Sequence, residues 1–214
     1  MGRAPRGAAR RPRARAPGAS RARDARRGSR RVSPSELVDL LEGLDPLSEL
    51  PRTGWVLRGV ASPESLAAHS FGVAVAAMAI VDALREEGAT VDGERVLRMA
   101  LLHDAAEAKT GDIPMPRKTP AMQEALHAME AAVIEDLLPE PYRALWTEAE
   151  AKDSLEARIV KAADKVQMMA KLRVYERQHR GRLDEFWANP KNERAMGFPF
   201  VERVFREIRT RAGR

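Results

Sequence analysis

Apolar residues recur along most of this chain at intervals of three and four, the spacing of one helix face, and no window alternates as a half-buried strand would. The first such run is "SPSELVDLLEGL". Ser33 can cap it, Pro34 suits the first helical position, and Glu36 completes a capping box, while Leu37, Leu40, Leu41 and Leu44 form one stripe. A non-helical stretch, "LPRTGWVLRGVASP", leads to Ser62 and Pro63, which are expected to open a second helix running to about Glu87. Apolar residues surround that helix, as in a central buried one.

A third helix is expected from about Asp92 to Lys109, with Val96, Met99, Ala100 and Leu102 facing inward and Gly111 stopping it. Thr119 and Pro120 open a fourth, whose stripe is Met122, Leu126, Met129 and Val133. A short helix follows around Tyr142 to Glu150. Ser154 then caps one carrying Leu155, Ile159, Val160, Ala163 and Val166, and a last helix holds Phe200, Val201, Val204, Phe205 and Ile208. The pattern predicts an all-α fold, a bundle of about six or seven helices over residues 33–214.

Residues 1–32 break the pattern. Residues 1–31 hold twelve arginines and one aspartate, a balance of +11, so the chain's net charge of +6 leaves −5 on the rest. Met1 is their one large apolar side chain, too little to offset the entropy of ordering, and a disordered extension is expected. Its composition suits a transit peptide or a nucleic-acid-binding arm, and against both stands the plainer reading of an extension with no role. The absence of cysteine excludes disulfides, thiolate metal ligands and a cysteine nucleophile, and agrees with a reducing, cytoplasmic setting. The longest apolar run, Phe71 to Val81, falls short of the roughly 20 residues that cross a bilayer, so no membrane partner is expected.

Three of the expected helices each carry an ionisable residue on an apolar face: His69 in the second, His103 and Asp104 at the end of the third, and Asp164 within "RIVKAADKVQMM". Buried ionisable groups are costly unless paired or bound to metal. Two imidazoles and two carboxylates without thiolates suit Mn²⁺, Fe²⁺, Co²⁺, Ni²⁺ or Zn²⁺. Glu107 shares the helix face of His103 and Asp104, where it can accept a proton from water activated by such an ion. Asp112 follows Gly111 in a tight turn, placed to orient that water or protonate a leaving oxygen. Taken singly, each has a plainer reading as a core histidine, a cap or a turn residue. His127 and His179 are expected at the surface or a helix end.

At these residues the chain resembles the HD-domain metal-dependent phosphohydrolases, whose ligands are a His, a His-Asp doublet and a distant Asp, here His69, His103, Asp104 and Asp164. The stretches "RTGWVLRGVASPESLAAHS", "LLHDAAEAKTGDIP" and "GRLDEFW" narrow the resemblance to the 5′-deoxynucleotidase branch, over about Leu37 to Arg209. It implies hydrolysis of deoxyribonucleoside 5′-monophosphates with one divalent ion, Mn²⁺ or Co²⁺ foremost, with Fe²⁺, Ni²⁺, Zn²⁺ or Mg²⁺ also compatible. It implies functional roles for Glu107 and Asp112, substrate contacts from Arg52, Trp55, Arg58 and Lys118, and a homodimer. Arginine suits the phosphate because its fork donates two parallel charge-assisted bonds. Relatives often carry an acid just before the first histidine, where this chain has Ala68. The alternatives are hydrolysis of triphosphate or cyclic nucleotides, or a nucleic-acid-binding protein that keeps the fold and uses the arginine arm.

Overall fold

The computed structural model describes residues 1–2, 31–114 and 119–214. The expectations for the arginine-rich arm and for Lys118 lie outside the described residues. Residues 32–214 form one compact unit. Among the described residues its elements are helices, joined by one isolated bridge between Pro51 and Ser65.

Helix α1, Pro34–Leu44, has the expected reciprocal cap: Ser33 Oγ accepts from the Glu36 amide, and the Glu36 carboxylate accepts from the Ser33 amide. Only Leu40 of its stripe is buried, and Leu37, Val38 and Leu41 face outward. After a 3₁₀ turn at Asp45–Ser48 comes a four-residue helix, α2, Thr53–Val56, within a stretch expected to be non-helical.

Helix α3 is Leu66–Glu86, capped by Ser65 rather than by Ser62. Ser62 sits at φ 49°, and residues 64–66 are held extended by bonds from the Arg52 amide to the Glu64 carbonyl and from the Leu66 amide to the Leu50 carbonyl. Helix geometry therefore cannot start until Ser65. At 21 residues α3 is long and apolar enough to cross a membrane by length and composition alone. Here it is the central helix, with Val73, Ala77, Ile80 and Val81 buried in the main core.

The expected third helix is broken. Helix α4 ends at Leu102, residues 103–106 form tight turns, and α5 covers only Glu107–Thr110. Bonds from Ala105 to Leu102 and from Glu107 to Asp104 span three residues instead of four, so the chain tightens just where His103 and Asp104 lie. Ala105 and Ala106 of that turn are buried against Leu40, Ile134 and Trp146, which anchors it.

Helices α6, Pro120–Leu137, and α7, Tyr142–Ala151, follow as expected, although Met122 and Met129 of the α6 stripe are exposed. Helix α8, Leu155–Arg177, capped by Ser154, packs along α3 to make the central pair, and Val160, Met169 and Leu172 join the same core. A five-residue helix, α9, Asp184–Ala188, and a final α10, Pro199–Ala212, close the unit. Seven of the described helices have ten or more residues. The short α2, α5 and α9 escape a periodicity reading because four or five residues cannot display a stripe.

Candidate metal and active site

His69 comes from the first turn of α3, His103 and Asp104 from the turn that ends α4, and Asp164 from the middle of α8. The fold brings all four together. His69 Nε2 lies 3.5 Å from Asp164 Oδ1 and 3.6 Å from Asp104 Oδ2, and His103 Nε2 lies 3.2 Å from Asp104 Oδ2. Donor atoms of His69, His103 and Asp164 all fall within 4.8 Å of one another, a group that can hold a metal ion.

The hydrogen bonds decide which imidazole nitrogens are available. His69 Nδ1 is 2.6 Å from Gln167 Oε1, and His103 Nδ1 is 2.8 Å from the Ala100 carbonyl. A carbonyl oxygen only accepts, so each Nδ1 carries its proton and each neutral ring turns an Nε2 lone pair inward. Both Nε2 atoms are buried and lack a hydrogen-bond partner. Lone pairs facing two carboxylates are unfavourable unless a cation or a proton lies between them. The donor set fits a divalent ion of the kind imidazole and carboxylate bind.

Charge around these groups is balanced by cations. Burial opposes ionisation of Asp104, but interaction with His103 and with the Arg52 guanidinium outweighs it and holds the carboxyl below its ordinary value. Arg52 Nη1 donates to Asp104 Oδ2 at 3.1 Å. Burial likewise opposes charge on Asp164, yet Lys161, at 2.7 Å, and Lys165 keep it ionised. Burial would lower the His103 pKa, but Asp104, Asp164 and the Ala100 carbonyl together outweigh it and raise it above the ordinary imidazole value. For Lys165, Asp164 favours the charged form, while burial together with Lys161 and Arg52 prevails and lowers its pKa.

Glu107 behaves in the opposite way. Burial, then Asp104 and Asp112, push its pKa up to about 10, and its Oε2 is buried without a partner. Glu107 still lines the cavity beside Asp104, because the tightened turn keeps both on the same side. Asp112 is drawn into the site by Gly111, whose φ of 70° and ψ of 166° suit glycine alone, and its Oδ2 accepts from the Thr53 amide at 2.7 Å. Asp112 thus fastens the start of α2, the element beside Arg52.

These groups face a cavity of about 570 Å³, which Arg52, Trp55 and Arg58 also line. Trp55 is 2% exposed, stacks on Phe186 at 4.5 Å, and donates its indole N–H to Glu64. It forms a wall, with its one donor already committed. Arg58 pairs with Glu185. His127 is exposed, as expected, but it has company: its ring lies parallel to that of Trp146, and its donor atom falls within 4.8 Å of those of Glu130 and Glu150. These three line a cavity that His103, Asp104 and Glu107 share. His179 follows the end of α8, away from these groups.

Lys161, Lys165, Gln167 and Glu64 complete the arrangement and were not singled out from the sequence. The two lysines had a signal, since both lie within three residues of Asp164 on an otherwise apolar helix face. Gln167 and Glu64 had none.

Three buried helices converging on a His, His-Asp and Asp set define a class, and a model of the HD domain matches residues 44–199. The chain belongs to the HD-domain family. Within it, the chain is 37% identical over 159 residues to the human protein 5′-deoxynucleotidase HDDC2, covering 71% of this chain and 74% of that one. Among solved structures, the PH0347 protein of Pyrococcus horikoshii superposes with a TM-score of 0.68 at 33% identity, over 82% of this chain and 98% of that one. The cyanophage S-2L HD phosphohydrolase DatZ, bound to dA and one catalytic Zn²⁺, superposes with a TM-score of 0.56 at 25% identity, over 81% and 96%.

Proposed function

We propose that this protein is a metal-dependent 5′-deoxynucleotidase that hydrolyses deoxyribonucleoside 5′-monophosphates to deoxynucleoside and inorganic phosphate. The observation that carries the reading is the pair of buried, partnerless Nε2 atoms of His69 and His103 facing the carboxylates of Asp104 and Asp164. Kinship with 5′-deoxynucleotidases over most of the chain supports the substrate class.

His69, His103, Asp104 and Asp164 are the residues that would hold the ion, with Mn²⁺ or Co²⁺ as first choices. When bound, it would supply Lewis acidity and bring the pKa of water toward neutrality. The remaining roles fall to the chain itself. Arg52 meets the phosphate, its guanidinium kept charged by Asp104 and the other acids around it. Lys161 and Lys165 line the same cavity and offset charge on the phosphoryl oxygens. Glu107 accepts a proton from the attacking water, since a cation beside it favours its ionised form. Asp112 holds the Arg52 segment in place through the Thr53 amide. Trp55 and Phe186 shape the pocket for sugar and base.

Homodimerisation belongs to the same reading. What supports it is an outward apolar stripe on α3, where Phe71 is 70% exposed and Val75 and Met78 lie beyond it. Light scattering should return twice the chain mass.

The decisive assay is phosphate release from dAMP, dGMP, dCMP, dTMP and dUMP with added Mn²⁺ or Co²⁺. Triphosphates, cyclic nucleotides and ribonucleotides should react more slowly. Release from none of the five by protein shown to contain metal would overturn the assignment.

A further inference from the structure

Glu64 is a buried acid with no place in the chemistry above. Its Oε1 accepts the indole N–H of Trp55 at 3.1 Å, its Oε2 accepts from Gln167 Nε2 at 2.9 Å, and Lys171 stands 3.6 Å from Oε2. The Glu64 amide donates to the Tyr175 hydroxyl at 2.7 Å, which pins the backbone as well. Gln167 in turn presents Oε1 to His69 Nδ1.

The polarity of this chain of bonds is forced. A carboxylate offers only acceptors, so the end of Gln167 that meets Glu64 must be its NH₂. The other end, the amide oxygen, then faces His69 and requires the proton on Nδ1. That leaves the Nε2 lone pair pointing at Asp104 and Asp164. We propose that Glu64 and Gln167 are positioning residues that set the tautomer of His69 and thereby hold it as a metal donor, tying that ligand to the Trp55 wall of the substrate cavity.

A second observation bears on the path of Gln167. It crosses α3 at Gly72, where an added Cβ would meet Gln167 Cγ at 2.8 Å and Nε2 at 3.1 Å. Glycine inside a helix is destabilising relative to alanine. Here its missing side chain makes room for the amide. The arrangement also answers the absence of an acid at Ala68: the partner of His69 arrives from α8 instead of from the preceding residue. Ligating imidazoles commonly depend on such a partner, and its loss weakens metal binding about 10–100-fold.

The inference rests on reading His69 as a metal ligand, and the test separates the two. In Glu64→Gln, the new amide cannot accept from both Trp55 and Gln167, so Gln167 turns over and offers its NH₂ to His69 Nδ1. The metal-free variant should show His69 protonated on Nε2 in ¹⁵N histidine spectra, where the wild type shows Nδ1. Mn²⁺ and Co²⁺ affinity by calorimetry should fall about 10–100-fold. The double variant Glu64→Gln/Gln167→Glu restores every donor and acceptor in the chain of bonds, and should recover both the wild-type tautomer and the affinity.

If Glu64→Gln does not fold, Gln167→Met removes the acceptor directly and should give the same loss of affinity. An unchanged tautomer and affinity in the single variant, or a double variant as weak as the single, would overturn the relay. A wild type that binds neither metal but still shows the Nδ1 tautomer, lost in Glu64→Gln, would leave the relay standing and refute the metal reading.

Discussion

Replacing Glu107 with glutamine should abolish turnover and yet stabilise the metal-free protein at neutral pH. Burial, followed by the charges of Asp104 and Asp112, moves this carboxyl from 4.5 to about 10 in the folded state. The unfolded chain ionises near the lower value. Stability from this group is therefore complete below about pH 4.5 and is lost as pH rises toward about 10. At pH 7.5 the folded protein must hold a proton that the unfolded chain has released three pH units earlier, a penalty of about 4 kcal/mol. Glutamine resembles the protonated acid at every pH and escapes it. Relaxation around the site lessens the penalty, so a gain on the order of 2–4 kcal/mol is expected at pH 7.5, and below about 1 kcal/mol at pH 5. Urea unfolding of EDTA-treated wild type and variant at the two pH values measures both. Added Mn²⁺ should narrow the difference, because a cation favours the ionised glutamate. Equal stability at pH 7.5, or the same gain at both pH values, would refute the reasoning.

Asp164→Asn removes a carboxylate 3.5 Å from His69 Nε2 and leaves Lys161 and Lys165 without their shared partner; metal content after dialysis should fall at least about 100-fold in affinity terms, with helicity by circular dichroism retained. Arg52→Ala should lower kcat/KM for a deoxynucleoside monophosphate about 100- to 1,000-fold, and Arg52→Lys should recover only part of it, since the ammonium keeps the charge but not the fork. Gly111→Ala forces a side chain into a backbone region reserved for glycine; thermal unfolding should register roughly 1–3 kcal/mol of destabilisation, and kcat should drop as Asp112 shifts from the Thr53 amide.

The seven long helices were legible because each needs a stripe to bury and most carry a cap, as Ser33, Thr119 and Ser154 do. Two boundaries depart from the local pattern for one physical reason. Ser62-Pro63 satisfies every local rule for a helix start, and the run from Glu94 through Lys109 contains no glycine or proline to stop it. What delays α3 to Ser65 is a pair of backbone bonds to Leu50 and Arg52, and what breaks α4 at Leu102 is the burial of Ala105 and Ala106 against α6 and α7. Both are tertiary forces, which local propensity does not record.

The same distinction separates the site residues that sequence reveals from those it hides. An ionisable group on an apolar helix face is conspicuous, because its burial must be compensated by something. His69 and Asp164 announce a need in this way. The group that meets the need is inconspicuous, since a glutamine within a helix or a glutamate just ahead of one is ordinary by composition and pairs across long separations, 98 residues from His69 to Gln167 and 103 from Gln167 to Glu64. Ala68 shows the consequence. Read locally, the missing acid argues for a weakened ligand, whereas the folded chain supplies the acceptor from the helix opposite. An imidazole constrains the chemistry and geometry of its partner and leaves the partner's place in the chain open, so a gap in a local motif is evidence of loss only after every neighbouring element has been searched for a substitute.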